Sequence, residues 1–237
     1  MVREFWQSTI GKKMVMAVTG LIGVGFVVGH LLGNLQIFVG PGRFNAYSHF
    51  LHSLGELLWL VRLVLIAAVV LHVVAAVQLS RRRLVARPVR YKHGSQREVS
   101  TFAARTIRWG GGLLLLFIVF HILHFTTRSI FRDYSATDVY DNVVRGFGIW
   151  WVVVFYVLAM AALGLHVHHG VWSSLRTLGA SKASPEPRRR PVAVVLALLL
   201  WAGFTVIPLA VFAGLVRPPA SRGTVSAPPP VAARNTR

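Results

Sequence analysis

Five long apolar runs dominate the pattern of hydrophobic and polar positions along the chain. They cover about residues 14–39, 54–79, 109–130, 146–175 and 191–216. Each run is close to the ~20 residues that a helix needs to cross a bilayer, and short polar or basic segments separate them. The pattern predicts an all-α membrane protein with five transmembrane helices in one domain, residues 1–216. The remaining residues, 217–237, are rich in Pro, Ala and Arg and predict a disordered tail.

The composition agrees with a membrane protein and narrows its chemistry. Hydrophobic residues make up 54% of the 237 positions, above the roughly 45–50% of soluble domains. The chain has no cysteine, which excludes disulfides and cysteine-held iron–sulfur clusters. The first apolar run is longer than the ~7–15 residues of a signal-peptide core, so we expect it to be retained as a membrane span.

The net charge of +19 sets the expected orientation of the chain. Basic residues concentrate in the N-terminal segment and in the segments 81–108 and 176–190, which together carry 17 of the 26 Lys and Arg residues. Because short basic loops stay in the cytoplasm, we expect the N-terminus inside and the C-terminus outside the plasma membrane. This distribution is not that of a nucleic-acid-binding surface, so nucleic acid is not an expected partner.

Histidines inside the spans are the strongest indication of function, because a polar side chain in the bilayer is costly. A lone histidine of this kind can simply hydrogen-bond neighbouring helices. At 1.5 Å per residue, His30 and His121 lie roughly 24 Å and 18 Å from the cytoplasmic ends of spans one and three. His72 and His166 lie about 10 Å and 13 Å from the cytoplasmic ends of spans two and four.

The four histidines therefore form an outer pair, His30 with His121, and an inner pair, His72 with His166. Spans one and two and spans three and four form two similar hairpins, in which the histidines lie 42 and 45 residues apart. One haem held between each pair predicts that four of the five helices form a haem-binding bundle. Two imidazole ligands leave the iron no open position, which favours electron transfer over oxygen chemistry.

Neighbouring histidines leave the choice of ligand open at this stage. His124 follows His121 by three residues, and His169 follows His166 by three, so each shares a helix face with its neighbour. His168 points away from that face. We expect His49, His52 and His93, which lie in loops or at span edges, to be solvated.

Several short motifs accompany these histidines. They are Trp6-Gln7-Ser8, Gly11-Lys12-Lys13, Thr19-Gly20, Gly29-His30-Leu31-Leu32-Gly33-Asn34, Phe44-Asn45-Ala46, Arg62, Leu71-His72, Phe120-His121 and Leu165-His166-Val167-His168-His169-Gly170-Val171-Trp172-Ser173. With these motifs, residues 5 to about 180 resemble the di-haem cytochrome b membrane anchor of succinate dehydrogenases and fumarate reductases. The fifth span fits the family's last helix but adds no motif.

The resemblance implies the ligands of two b-type haems. In that family the first and third histidines bind the haem iron farther from the catalytic subunits, and the second and fourth bind the nearer one. This carries over to His30 with His121 and to His72 with His166. The family pattern favours His121 over His124. It also favours the histidine four residues before Gly170, which is His166.

The resemblance also implies the reaction and the partners. Such anchors pass electrons from a flavoprotein subunit and an iron–sulfur subunit, bound at the cytoplasmic face, to membrane quinone. This chain has no soluble domain for succinate oxidation, so flavin and iron–sulfur clusters are expected on those separate subunits. The chain is then the quinone-reactive subunit of a succinate:quinone oxidoreductase.

Quinone reduction consumes protons, yet no Asp or Glu lies inside a span. We therefore expect the quinone and proton residues near an interface. The candidates are His52 and Glu56 on the outer side and Gln7, Ser8 and Arg108 on the inner side.

Arg62 lies some eight residues into the second span, where an unpaired charge is expensive. We expect a propionate of the outer haem as its partner, with snorkelling to the interface as the alternative.

Three alternative functions remain on sequence grounds. A quinol-oxidising cytochrome b of another kind usually carries two ligands on each of two helices. A histidine-containing transporter would bind no haem. A haem-free or single-haem anchor would use one histidine pair, or both, only for structure.

Overall fold

The computed structural model describes residues 2–85, 102–131, 133–180 and 190–218. These ranges are helical apart from turns, and five of the helices are long and apolar enough to cross a membrane. The predicted all-α membrane protein with five spans is therefore confirmed. The predicted tail, apart from residues 217 and 218, lies outside the described residues, as do most of the two longest basic segments.

The helices fall into two groups by length. The five spanning helices are α2 (Thr9–Asn34), α4 (Glu56–Val85), α5 (Phe102–His121), α7 (Trp150–Thr177) and α8 (Arg190–Phe212). Three shorter ones are α1 (Val2–Gln7), α3 (Pro41–Ser53) and α6 (Val139–Phe147). A 3₁₀ turn, Leu35–Val39, follows α2, and a π-helical turn, Ile122–Thr126, follows α5.

Helices α2, α7 and α8 pack into a central group. Helix α7 packs against both α8 and α2, while α4 packs on α2 and α5 packs on α7. Small residues permit the close approach: a Cβ on Gly164 would lie 3.2 Å from Cβ of Trp201, and one on Gly203 would lie 2.8 Å from Leu31. Among the described residues, α2 does not pack extensively against α5, and α4 does not pack extensively against α7.

The observed helix ends differ from the predicted spans for local reasons. Helix α2 begins at Thr9 rather than near residue 14, because the Ser8 hydroxyl oxygen accepts the backbone N–H of Gly11 at 2.8 Å and caps the helix. Lys12 fits in the first turns because its ammonium donates to the Trp6 carbonyl and lies 5.2 Å from the Trp6 ring centroid.

The fourth span, in contrast to the first, starts later than predicted. Residues 146 and 147 end the separate amphipathic helix α6, and α7 begins only at Trp150. Asn45 of α3 bonds α6 at the end of the bundle nearer His30 and His121, which we call the outer end. Its amide donates to Oδ1 of Asp138, and its carbonyl oxygen accepts the Tyr140 N–H, each at 2.9 Å.

Candidate functional site

The outer pair of histidines is brought together between α2 and α5. The ring centroids of His30 and His121 lie 5.7 Å apart, and the ring planes are nearly perpendicular. Phe26 stacks on His30 at 5.3 Å, and Phe117 lies 5.6 Å from His121. The two imidazoles therefore face each other within an aromatic environment.

The inner pair is brought together between α4 and α7. The ring centroids of His72 and His166 lie 6.1 Å apart, with the planes at 53°. Each ring lies beside a glycine of a neighbouring helix: a Cβ on Gly20 would be 3.2 Å from Cε1 of His72, and one on Gly111 would be 3.8 Å from Cε1 of His166.

The two glycines also show how far apart the pairs lie. Gly20 precedes His30 by ten residues on α2, and Gly111 precedes His121 by ten residues on α5. Ten residues of α-helix rise about 15 Å. The inner and outer pairs are therefore separated by about half of the ~30 Å hydrocarbon thickness.

The hydrogen bonds of His72 determine its tautomer. The Thr19 hydroxyl donates its one hydrogen to the Val15 carbonyl at 2.7 Å, and its oxygen lies 3.2 Å from Nδ1 of His72. Nδ1–H of His72 must then be the donor to Thr19, because the hydroxyl has no second hydrogen. Nε2 of His72 consequently carries a free lone pair, as a metal-binding imidazole requires.

A longer hydrogen-bond network connects His121 to the loop that precedes α6. Tyr156 Oη lies 3.1 Å from Nδ1 of His121 and 3.0 Å from Nδ1 of His124. Nε2 of His124 in turn lies 3.0 Å from Tyr134 Oη. His124 is 0% exposed and Tyr156 is 5% exposed, so the middle of this network is shielded from solvent.

These contacts separate the candidate ligands from their neighbours. Within the described part of the chain, both ring nitrogens of His124 are hydrogen-bonded, whereas at His121 only Nδ1 is, so the geometry favours His121 over His124 as a metal ligand. On α7 it is the ring of His166 that faces His72. His168 and His169 are partly buried on the same helix.

The ring separation in each histidine pair is close to that of two imidazoles bound to one iron ion. An imidazole nitrogen lies about 1.1 Å from its ring centroid and binds a transition metal at about 2.0–2.1 Å, so two facing ligands have centroids about 6.2 Å apart. The observed separations are 5.7 and 6.1 Å. Each pair also bridges two helices that do not pack extensively against each other. There is open space beside Gly23 on α2 and Gly112 on α5, because a Cβ on either would meet no atom within 4 Å.

Nδ1 of His166 is buried and has no hydrogen-bond partner among the described residues. A buried polar atom of this kind is unusual in a native protein, in which such groups are nearly always paired. No residue that the structure describes therefore holds the orientation of this imidazole through Nδ1.

The other predicted residues lie at the edges of the bundle. The Arg62 guanidinium stacks on the Trp59 ring at 4.9 Å, and its predicted pairing with a propionate stays untested. His52 and Glu56 are exposed at the outer end, where Nδ1 of His52 bonds the Ser48 carbonyl at 2.8 Å. Gln7, Ser8 and Arg108 are exposed at the inner end, and no hydrogen bond joins these three described residues.

Sequence reasoning missed the residues that orient the histidines, namely Thr19, Tyr156 and Tyr134. Thr19 belongs to the Thr19-Gly20 motif of the resemblance, which by itself gives the threonine no role. Burial raises the pKa of Tyr134 to about 12, with Asp141 adding to the effect and Arg145 opposing it. A tyrosine in an apolar span, such as Tyr156, is the one signal that could have been used, since a buried phenol usually has a hydrogen-bond partner.

Comparison with family models, with curated proteins and with solved structures gives no match for this chain.

Proposed function

We propose that this chain is the di-haem cytochrome b membrane subunit of a succinate:quinone oxidoreductase. The observation that carries the proposal is the pairing of four histidines from four different spans into two sites, with ring centroids 5.7 and 6.1 Å apart. His30 and His121 would hold the outer haem, and His72 and His166 the inner one. Bound there, the haems supply reversible one-electron transfer.

The protein's own residues prepare these sites for that task. Thr19 holds His72 in the tautomer whose Nε2 is free, and Tyr156 orients His121 through Nδ1. Such second-layer hydrogen bonds fix the orientation of a ligating histidine and raise its basicity. Phe26 and Phe117 place apolar rings against His30 and His121.

The partners of the chain and its orientation in the membrane follow from the same proposal. The basic N-terminal segment and the segments 81–108 and 176–190 favour a cytoplasmic face that docks the flavoprotein and iron–sulfur subunits. The N-terminus would be cytoplasmic and the C-terminus outside the plasma membrane. Quinone would be reduced near one interface, at His52 with Glu56 or at Gln7, Ser8 and Arg108.

A reduced-minus-oxidised absorption spectrum with a haem-to-protein ratio tests the proposal directly. We expect a b-type spectrum and about two haems per chain. Purified protein without haem, from cells that make haem, would refute the proposal.

Histidine variants test the assignment of the ligands. His166→Ala should lose one haem, and His72→Ala should lose the same one. His169→Ala is the matched control on the same helix and should keep both haems. The opposite result for His166 and His169 would show that the inner ligand is wrong.

A further inference from the structure

The outer histidine pair differs from the inner pair in the hydrogen-bond network that starts at its proposed ligand His121. From Nδ1 of His121 the contacts run through Tyr156, His124 and Tyr134, with successive distances of 3.1, 3.0 and 3.0 Å. Tyr134 lines a cavity of about 380 Å³ at the outer end of the bundle, together with Ile130, Phe131, Asp133, Arg145 and Ile149. The network thus reaches from the ligand to this cavity without a break.

The direction of every hydrogen bond in this network is determined once His121 binds iron through Nε2. Nδ1 of His121 then carries hydrogen and donates to Tyr156, so the Tyr156 hydroxyl donates onward to Nδ1 of His124. Nε2–H of His124 must donate to Tyr134 Oη. The Tyr134 hydroxyl hydrogen is left for an acceptor in the cavity. All the donors point outward, because each phenol and each neutral imidazole has one hydrogen to give.

We propose that Tyr156, His124 and Tyr134 form a directed hydrogen-bond relay that lowers the redox potential of the outer haem iron. The inference rests on the proposed function. A ligand N–H that donates to an acceptor makes the imidazole a stronger electron donor, which stabilises the oxidised metal. Hydrogen bonds in a chain polarise one another, and they do so most in a shielded, low-dielectric site such as that of His124 and Tyr156.

Among the described residues, the inner pair has no comparable relay. His72 donates to Thr19, whose own hydrogen is given to the Val15 carbonyl of the same helix, so that chain ends after one side chain. Nδ1 of His166 has no partner among the described residues. The relay therefore gives the two haems different surroundings, and a change in it should affect the outer haem alone.

Redox titration of the purified holoprotein, with the two haems resolved, tests the relay. Tyr156→Phe keeps the ring and removes the acceptor of His121, so the outer potential should rise. We expect about a tenfold change in the oxidised-to-reduced ratio at a fixed potential, which is about 59 mV for one electron. Tyr134→Phe removes the last link and should raise the same potential by less. His121→Ala, which lacks the outer haem, identifies which potential is which.

Two further variants serve as controls. Thr19→Val should change the inner potential and leave the outer one. Tyr140→Phe removes a phenol at the same end of the bundle, where its hydroxyl donates to the Arg217 carbonyl at 3.0 Å, and should leave both potentials unchanged.

Several results would overturn the relay while the proposed function stands. They are two bound haems with no change in Tyr156→Phe and Tyr134→Phe, equal changes in both potentials, or a lower outer potential. If Tyr156→Phe fails to bind haem, Tyr134→Phe decides alone, since it leaves the contact between His121 and Tyr156 in place. A wild-type protein without haem would instead refute the proposed function itself.

Discussion

Gly146, near the end of α6, offers a sharp test of how His124 is packed. It lies where the His124 ring meets the Tyr134 hydroxyl, and a Cβ there would lie 2.7 Å from Nε2 of His124 and 2.6 Å from Tyr134 Oη. His124 cannot easily yield, because it is fully buried and Phe125 stacks on it with the ring centroids 3.8 Å apart. Gly146→Ala should therefore break the hydrogen bond between His124 and Tyr134.

The size of the effect follows from these distances. Moving either group by the ~0.8 Å needed to reach ordinary van der Waals contact lengthens a 3.0 Å hydrogen bond beyond its useful range. A buried donor left unpaired costs about 1–3 kcal/mol. The higher helix propensity of Ala relative to Gly offsets at most ~1 kcal/mol of this cost. Taking the middle of the first range, about 2 kcal/mol, and an offset between zero and ~1 kcal/mol, we expect a net loss of about 1–2 kcal/mol in the free energy of unfolding.

Thermal unfolding of the detergent-purified protein measures this loss. On the scale for chains of this size, the midpoint should fall by about 2–8 °C. Gly42→Ala is the matched control, because Gly42 lies in helix α3 and a Cβ there would meet no atom within 4 Å. That variant should unfold at the wild-type temperature or slightly above it. Equal midpoints for the two variants would mean that His124 and Tyr134 do not pack as described.

Two further predictions concern the outer end of the bundle. Tyr134 should ionise late in an alkaline ultraviolet titration, near its pKa of about 12, and Tyr134→Phe should remove that late step. Because the folded state raises this pKa, Tyr134 stabilises the fold fully below its unfolded pKa of about 10 and loses that contribution as the pH rises towards 12. Asn45→Ala should lower the free energy of unfolding by about 1–3 kcal/mol, and the thermal midpoint with it, because the Tyr140 N–H loses its acceptor and Asp138 Oδ1 keeps only the bond from the Asp141 N–H. Ser53→Ala, which loses only an exposed bond to the Phe50 carbonyl, is its control.

The sequence was sufficient for the parts of the fold that depend on local physics. Apolar runs of bilayer length predicted the five spans, and a constant rise per residue sorted the histidines by depth. His30 lies beside His121, and His72 beside His166, as that count predicted. The rule requires only that the helices be regular and cross the same membrane, so it needed no knowledge of packing.

Helix rotation and chain irregularities could not be predicted in the same way. His121 and His124 are three residues apart, which predicts a shared face, and both rings do contact Tyr156. The sequence did not predict the π-helical turn Ile122–Thr126, or that only His124 would also bond Tyr134. Tyr156, which contacts both rings, lies on α7, 35 residues after His121 and 32 residues after His124. Such a contact depends on how α5 and α7 are rotated against each other, which the hydrophobic pattern of two nearly all-apolar helices does not encode.

The packing of the spans has a consequence for the way the protein is made. Helices α7 and α8 are the most buried of the five, and they are the last to leave the ribosome. Until they insert, α5 has no α7 to pack on, and α2 has only α4 among the long helices beside it. Before α7 and α8 insert, the pair α2 and α4 can form but α5 has no comparable partner among the described helices, so a nascent chain stopped before residue 150 would lack the helices on which α5 assembles.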